Sequence, residues 1–269
     1  MIHKTAIINK SAQIHPSAEV GEYAIIGENV SIGQGTKVGP YSFIEYSIIG
    51  ENCKISNHTV IGAPPQDMKY GGQETKAIIG NNCTIREFTT IHRGSSTGVT
   101  KVGNGCYFMA YSHIAHDCVL GDEVILANCG SLAGHVEVED FVIIGGLAAV
   151  HQYTRIGKLA MLGGGAMVTK DVPPFTMASG DRARLYGLNV VGLKRRGFKN
   201  KTIKQLKHAY HILFNSRINF SIALRQLEET HKKEDFGREV DHIIGFIKMT
   251  KRGIVFPANR RVKFNESDT

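Results

Sequence analysis

The sequence predicts a mainly β protein, a parallel β-helix of hexapeptide repeats followed by a small α-helical region. The first observation is an aliphatic residue at every sixth position over long stretches of the chain. The second is a small residue four positions after the aliphatic one, as at Ala18, Ala24 and Cys118. The third is composition, because 30 glycines and no tryptophan in 269 residues suit a turn-rich β structure better than a helical bundle. A fixed six-residue period is typical of β-helices.

The repeat runs in three frames. The first begins at Ile2, slips by one residue after Ile44 and continues to Ile61. The second is short and runs from Ile79 to Ile91. With three hexads per coil, residues eighteen apart stack at the strand spacing of about 4.8 Å. The third frame consists of apolar residues at Val102, Phe108, Ile114, Leu120, Leu126, Leu132, Val138, Ile144, Val150, Ile156, Leu162 and Val168.

Two segments break the rhythm within the predicted β-helix. Residues 64–77 contain Pro64-Pro65 and Gly71-Gly72, which predict a protruding loop. A shorter interruption covers residues 94–101. We therefore expect the β-helix to span residues 1–191, with the larger loop near 64–77.

The rhythm ends after Val172, and residues 192–269 are predicted to form a helical C-terminal domain. Apolar residues at helical spacing predict a helix over 201–214. Ser221 is the predicted cap of a second helix that runs to about Glu229. A third helix contains Val240 and is expected to stop near Gly253.

Charge is distributed unevenly along the chain. The net charge is +8, and residues 192–269 alone carry 18 Lys/Arg against 8 Asp/Glu, or +10. This asymmetry favours an acidic partner for the C-terminal region, although a solvated helical surface would show the same balance. No nucleic acid partner is expected.

The N-terminal residues enter the repeat at Ile2 without the charged and apolar segments of a secretory signal, so none is expected, and no apolar run reaches the ~20 residues needed to span a bilayer. We therefore expect a cytoplasmic protein without stable membrane insertion. Of its five cysteines, Cys53, Cys83, Cys106 and Cys118 occupy the small position of the repeat. They are predicted to be core residues rather than nucleophiles or disulfide partners.

Four histidines and a carboxylate lie within the third frame. Asp117 and His135 are eighteen apart and should lie side by side on adjacent coils. His116, Gly134 and Gln152 should form a second column at the same interval. Surface histidines on a β-helix are usually solvated turn residues, but a histidine with a carboxylate partner and a backbone N–H has the parts of an acyl-transfer site. Those parts are a base, an orienting group and an oxyanion donor.

At these residues the sequence resembles a known family, the acyl-[acyl-carrier-protein]–UDP-N-acetylglucosamine O-acyltransferases of lipid A synthesis. The resemblance covers about residues 1–250 in order. It implies a left-handed β-helix with a helical C-terminal domain, a homotrimer with active sites between subunits, and transfer of a 3-hydroxyacyl group from acyl carrier protein to a UDP-sugar. The motifs are His-Ile-Ala-His-Asp-Cys at 113–118, Leu-Ala-Gly-His-Val at 132–136, Ala-Val-His-Gln at 149–152, Gly-Leu-Lys-Arg-Arg-Gly-Phe at 192–198, Gln-Asp-Met-Lys-Tyr at 66–70 and Thr-Ile-His-Arg-Gly at 90–94.

The resemblance also implies roles for single residues. His116 is the general base for the sugar 3-hydroxyl, Asp117 orients it, and the Gly134 N–H stabilises the oxyanion. Gly164 gauges the length of the acyl chain, and a glycine there implies a long, myristoyl-type chain. No metal is implied, and no cofactor beyond the carrier's phosphopantetheine arm, which is part of a substrate. The residues implied to line the sugar and acyl sites are His113, His135, His151 and Gln152, with Asp67, Lys69 and His92 in the cleft and with Asn189, Arg195 and Arg196 on nucleotide or carrier phosphates.

Two positions depart from the family pattern. Val191 stands where a glutamate is common, and Arg182 where a histidine is often found. Because Val191 cannot accept a hydrogen bond, a 3-amino analogue of the UDP-sugar is an alternative acceptor.

Other functions remain open at this point. A zinc-dependent carbonic anhydrase of the same β-helix type could use His113, His116 and His135 as ligands. The sister acyltransferase acting on a sugar 2-amine usually carries an extra domain before the β-helix, whereas hexads here begin at Ile2. A non-catalytic scaffold would leave the histidine columns unexplained.

Overall fold

The fold is a left-handed parallel β-helix with a helical C-terminal region, which confirms the predicted fold class. The computed structural model describes residues 1–215 and 218–258. Three sheets, parallel except for the last strand of one of them, form the faces of a triangular prism, and short turns at the corners join one face to the next. Across the described residues, no helix combines the length and the apolar character that crossing a membrane requires.

The three faces are named here sheet I, sheet II and sheet III. Sheet I contains, in spatial order, Ile7–Ile8, Ile25–Ile26, Phe43–Ile44, Val60–Ala63, Thr90–His92, His113–Ile114, Ser131–Leu132, Ala149–Val150 and Met167–Val168. Sheet II contains Gln13–Ile14, Ser31–Ile32, Ser47–Ile49, Lys76–Ile79, Val99–Val102, Val119–Leu120, Glu137–Val138 and Arg155–Ile156. Sheet III contains Glu19–Val20, Lys37–Val38, Lys54–Ile55, Thr84–Ile85, Tyr107–Phe108, Ile125–Leu126, Ile143–Ile144, Met161–Leu162, Thr176–Ser179 and Arg184–Leu188.

The eighteen-residue stacking holds where the coils are regular. Ile114 pairs with Leu132, and Leu132 pairs with Val150. All twelve apolar positions of the third frame are at most 3% exposed, so the aliphatic residues fill the prism as predicted. The four cysteines in the small position are buried free thiols, which confirms that they are core residues.

Both predicted interruptions are shorter than expected. The larger loop covers residues 64–75, because the strand Lys76–Ile79 begins inside the predicted range. The strand Val99–Val102 likewise starts within the predicted second interruption. Arg93 fixes the base of the larger loop, since its Nη1 donates to Glu45 Oε1 and to the Gly62 carbonyl, each at 2.8 Å. Its Nε also donates to the Tyr70 hydroxyl at 3.3 Å.

The helical region begins directly after the last strand, which runs antiparallel to its neighbour in sheet III. A short first helix, α1, was not predicted from the sequence. It is followed by α2, a π-helical turn, α3 and α4, and residues 216–217 and 259–269 of the predicted helical domain lie outside the described residues. The bounds are α1 Val190–Arg195, α2 Asn200–Tyr210, the π-helical turn His211–Asn215, α3 Phe220–Glu234 and α4 Arg238–Lys248.

Three predicted helix boundaries were wrong, two in α3 and one in α4. The cap of α3 is Asn219, whose side-chain oxygen accepts the Ser221 N–H at 2.9 Å, so Ser221 lies within the first turn. The helix continues past the predicted end at Glu229 to Glu234, and Asp235 ends it in the left-handed region at φ +48°. Helix α4 ends at Lys248, before the predicted stop at Gly253.

A buried carboxylate attaches the C-terminal segment to the last coils. Asp171 is 1% exposed. Its Oδ1 accepts the Arg155 N–H at 2.9 Å, and its Oδ2 accepts the Thr250 hydroxyl at 2.7 Å. Because both oxygens are satisfied, its burial is compatible with a stable fold.

Candidate active site

The predicted column of His116 and Gly134 exists at the corner between sheets I and II. The His135 N–H donates to the His116 carbonyl at 3.1 Å, and the Tyr153 N–H donates to the Gly134 carbonyl at 3.1 Å. A Cβ added to Gly134 would lie 2.6 Å from His116 Cε1. The imidazole therefore lies against the Gly134 backbone, and only glycine leaves room for it.

Asp117 is the orienting partner of His116. Its Oδ2 accepts a hydrogen bond from His116 Nδ1 at 2.8 Å and lies 3.5 Å from His135 Nε2. The predicted pairing of Asp117 with His135 is therefore present, but the closer partner is the sequence neighbour His116. Asp117 has φ +59°, and this left-handed corner conformation turns its side chain toward the adjacent histidine.

The Asp117 carboxylate is buried and ionised. Burial alone would raise the pKa of this carboxyl group, but hydrogen bonds from Thr97 and His116 and from the backbone N–H groups of Thr97 and Ser95 lower it to about 2. An anion at this position fixes the His116 proton on Nδ1 and leaves Nε2 free to accept a proton. Ser95 and Thr97 were missed from the sequence, because they lie in an interruption where the eighteen-residue rule does not apply.

His92 and His113 lie on adjacent strands of sheet I with their rings 5.1 Å apart, edge to face. His113 Nδ1 shares a hydrogen bond with the Thr90 hydroxyl at 2.7 Å. Burial, followed by repulsion from His113 and His116 when these are protonated, lowers the pKa of His92 to about 4. Burial and His116 also lower the pKa of His113. Both rings are therefore neutral at pH 7, and no described residue hydrogen-bonds to the buried His92 Nδ1.

The larger loop brings Asp67 to the same corner. Asp67 Oδ2 accepts the Ser95 hydroxyl at 2.7 Å, and Oδ1 accepts the Lys69 N–H at 3.0 Å. These hydrogen bonds lower the pKa of Asp67, and the one from the Lys69 N–H has the largest effect. The Lys69 side chain itself is exposed.

The remaining predicted residues of the histidine columns lie further along the prism. The His135 ring stacks on the Tyr153 ring with centroids 4.4 Å apart and an interplanar angle of 8°. His151 and Gln152 are exposed on the next coil. His135, His151 and Gln152 thus lie on the coils that follow those of His92 and His113.

The predicted phosphate-binding residues lie on another corner of the prism, between sheets II and III. Arg196 Nη2 pairs with Glu123 Oε2 at 2.7 Å and stacks its guanidinium over the Phe141 ring at 4.1 Å. Arg195 is exposed. Among the described residues, the contacts of Arg196 are therefore with that corner and not with the histidines.

Asn189 has a capping role that the sequence did not reveal. It is 4% exposed, and its Oδ1 accepts the Gly192 N–H at 2.9 Å as the cap of α1. Its Nδ2 donates to the Leu159 carbonyl at 3.0 Å. Its amide thus holds α1 against the prism.

Gly164 and the two departures from the family pattern are all on the surface. A Cβ at Gly164 would lie 3.4 Å from the Gly146 carbonyl oxygen, an ordinary contact, so a side chain fits there. Val191 is 61% exposed in α1. Arg182 lines a cavity of about 440 Å³ together with Lys170 and Arg184.

The histidines that the zinc hypothesis requires are not the set that the structure brings together. Among the described residues, the side chains whose ligand atoms lie within 4.8 Å of one another are His116, Asp117 and His135. His113 is outside this group, and its Nδ1 is engaged by Thr90. His116 Nδ1 is likewise engaged by Asp117.

Family profiles match three parts of the chain. Residues 171–255 match a family profile described as UDP N-acetylglucosamine O-acyltransferase, domain 2. Residues 100–134 match bacterial transferase hexapeptide repeats, and residues 1–99 match the GMPPB C-terminal domain.

Individual relatives carry the same name. The acyl-[acyl-carrier-protein]–UDP-N-acetylglucosamine O-acyltransferase of Burkholderia orbicola is 46% identical over 198 residues, which are 72% of this chain and 76% of that protein. The solved UDP-N-acetylglucosamine O-acyltransferase of Moraxella catarrhalis is 42% identical, with a TM-score of 0.89 over 94% of this chain and 99% of that one. The Francisella novicida UDP-N-acetylglucosamine acyltransferase is 36% identical, with a TM-score of 0.92 over 97% and 95% of the two chains. The chain is thus an acyltransferase and belongs to the family of acyl-[acyl-carrier-protein]–UDP-N-acetylglucosamine O-acyltransferases.

Proposed function

We propose that the chain transfers a 3-hydroxyacyl group from acyl carrier protein to the 3-hydroxyl of UDP-N-acetylglucosamine, the first step of lipid A biosynthesis. The observation that carries this proposal is the His116–Asp117 pair at 2.8 Å, placed over the Gly134 backbone in a chain of this family. A buried carboxylate, a free imidazole nitrogen and a backbone donor supply general-base catalysis and oxyanion stabilisation.

The reaction follows from these positions. His116 Nε2 takes the proton of the sugar 3-hydroxyl while its oxygen attacks the thioester carbonyl carbon. The resulting oxyanion is stabilised by the Gly134 N–H, for which no acceptor exists in the described part of the chain. When the C–S bond breaks, the carrier thiolate takes the proton from the His116 imidazolium. The products are the sugar ester and the free carrier thiol.

The two separated groups of predicted residues support a site built from more than one copy of the chain. His116 lies at the corner between sheets I and II, whereas Arg196 lies at the corner between sheets II and III. A homotrimer with parallel prisms would place one copy's histidines opposite the arginines of its neighbour. The +10 charge of residues 192–269 suits an acidic carrier protein.

No resident cofactor is required in this proposal, because the phosphopantetheine arm arrives with the carrier protein. A cytoplasmic location fits the five free cysteines of the described chain, since unpaired thiols are usual in reducing compartments.

The alternatives are less well supported. Val191 is exposed, so water can replace the acceptor that a glutamate would offer, and the case for a 3-amino sugar weakens. The relatives are named O-acyltransferases, which also favours the hydroxyl acceptor over both the amine and the carbonic anhydrase reaction.

An assay of the purified protein with a panel of 3-hydroxyacyl carrier proteins and UDP-sugars tests the proposal. Formation of a 3-O-acyl ester on UDP-N-acetylglucosamine is the expected result. A kcat/KM that strongly favours the 3-amino analogue, or stoichiometric zinc with carbonic anhydrase activity, would overturn it.

A further inference from the structure

We propose that residues 94–98, here called the cradle loop, hold Asp117 in position for catalysis, and that Thr97 and Ser95 are positioning residues of this enzyme. The inference rests on the proposed function in so far as Asp117 orients a general base. It concerns residues that lie outside the hexad repeat, in the second interruption of the β-helix.

The two oxygens of Asp117 have different partners. Oδ1 is held by the cradle loop alone, since it accepts the Ser95 N–H at 3.0 Å, the Thr97 N–H at 2.9 Å and the Thr97 hydroxyl at 2.5 Å. Oδ2 faces His116 at 2.8 Å and also accepts the Ser96 N–H at 3.2 Å. Oδ1 is thereby fixed by the loop, and Oδ2 forms the hydrogen bond with the His116 imidazole.

The burial of Asp117 explains why such a loop is needed. The side chain of Asp117 has no solvent exposure, and no arginine or lysine of the described chain pairs with it. A buried carboxylate without a cation must be stabilised by hydrogen bonds. The cradle loop supplies four of them, and the Asp117 N–H is itself accepted by the buried Thr100 hydroxyl at 2.8 Å.

Ser95 connects the two protruding segments of the β-helix. Its N–H binds Asp117, and its hydroxyl binds Asp67 in the larger loop at 2.7 Å. Ser95 is 9% exposed, so this bridge is largely shielded from water. The loop that carries Asp67 is therefore held at a fixed distance from the catalytic pair.

The hydroxyl of Thr97 acts on the reaction only through Asp117. Together with the three backbone N–H groups of the cradle loop, the hydroxyl restrains the carboxylate from rotating away from His116, and the imidazole keeps its proton on Nδ1. Without it, the carboxylate gains freedom and the Nε2 lone pair is less often aimed at the substrate. Such misplacement of a reacting group lowers kcat, whereas substrate binding is unaffected.

Steady-state kinetics of the full-length protein between about pH 5 and 9 test this role. We expect Thr97→Val to lower kcat by roughly 5- to 50-fold with KM nearly unchanged and the acid limb of the kcat profile displaced. Thr97→Ser, which restores the hydroxyl, should recover most of kcat. Ser95→Ala keeps its N–H on Asp117 but frees Asp67, so it should raise KM more than it lowers kcat.

Thr84→Val is the matched control, because Thr84 lies on sheet III and its hydroxyl has no hydrogen bond within the described residues. It should behave as wild type. If Thr97→Val does not fold, Thr97→Ala removes the same hydroxyl with a smaller side chain. Wild-type kcat in Thr97→Val, or an equal loss in Thr97→Ser, would overturn the proposal.

Side-chain ¹⁵N NMR of His116 separates this inference from the proposed function. In wild type we expect one tautomer with the proton on Nδ1, and in Thr97→Val a mixture of both. If wild type shows no acyl transfer, the proposed function fails, while the tautomer comparison still decides the role of Thr97. An unchanged His116 spectrum in Thr97→Val would contradict the cradle loop as a positioning device.

Discussion

The imidazole of His116 lies against the backbone of Gly134 on the adjacent coil, so closely that a Cβ at residue 134 would approach its Cε1 to 2.6 Å. The contact follows from the eighteen-residue period, since His116 and Gly134 occupy the same position on successive coils. The contact places the His116 imidazole and the Gly134 N–H close together, beside the position where the reacting atoms of the substrates would lie. Any side chain at position 134 has to displace the imidazole.

Gly134→Ala should therefore lower kcat by roughly 10²-fold although its N–H is retained, because His116 is pushed out of line. Steady-state kinetics with thermal unfolding measure the effect. Gly245→Ala in α4 is the control, since a Cβ there meets nothing within 4 Å. Wild-type kcat in a folded Gly134→Ala would show that the closeness of the two residues has no catalytic consequence.

The pH dependence of stability tests the ionised state of Asp117. Its pKa is lowered to about 2 in the folded chain, so it stabilises the fold above its unfolded pKa of about 4. That contribution is lost as the pH falls from about 4 to 2. Asp117→Asn should reduce the free energy of unfolding by roughly 1–2 kcal/mol at pH 7, with the difference shrinking below pH 4. Denaturant unfolding at several pH values measures this, and a difference independent of pH would refute it.

Gly164 is predicted to set the length of the acyl chain. Its surroundings admit a side chain, because a Cβ would rest 3.4 Å from the Gly146 carbonyl oxygen. Gly164→Met should then fill space used by the end of a myristoyl-type chain and shift the preference to shorter donors. Competition between 3-hydroxyacyl carrier proteins of different length measures it. A wild-type preference for a decanoyl-type donor would make the assignment of Gly164 wrong.

A site shared between copies predicts complementation between two inactive variants. His116→Ala and Arg196→Ala remove groups that lie at different corners of one chain. If the proposed trimer forms, co-expression of both variants gives mixed assemblies with sites that combine one chain's His116 and another chain's Arg196, and part of the activity should return. Each variant expressed alone is the control. No recovery in verified mixed assemblies would place the whole site within one chain.

The sequence predicted those features of the fold that depend on periodicity. The six-residue spacing gave the three faces, the core positions and the column of His116 over Gly134. Residues outside the repeat were not predictable in this way. Ser95 and Thr97 reach Asp117 across an irregular loop, and no spacing rule relates positions 22 and 20 residues apart there.

Two further differences have local causes. The closer partner of Asp117 is its neighbour His116, because the left-handed backbone conformation of Asp117, at φ +59°, brings the two adjacent side chains together. The stacking rule describes only residues on different coils. Asn219 caps α3 in place of Ser221, and Asn189 caps α1, because the asparagine oxygens meet free N–H groups that propensities alone do not locate.

The turnover of His116→Ala with a 3-hydroxyacyl carrier protein and UDP-N-acetylglucosamine is the most direct test of His116 as the general base. The variant removes the base while leaving Asp117 in its cradle and the Gly134 N–H in place. We expect kcat to fall by roughly 10²- to 10⁴-fold, the usual contribution of a positioned acid–base group, with thermal stability close to wild type. Near-normal turnover in a folded His116→Ala protein would contradict this role.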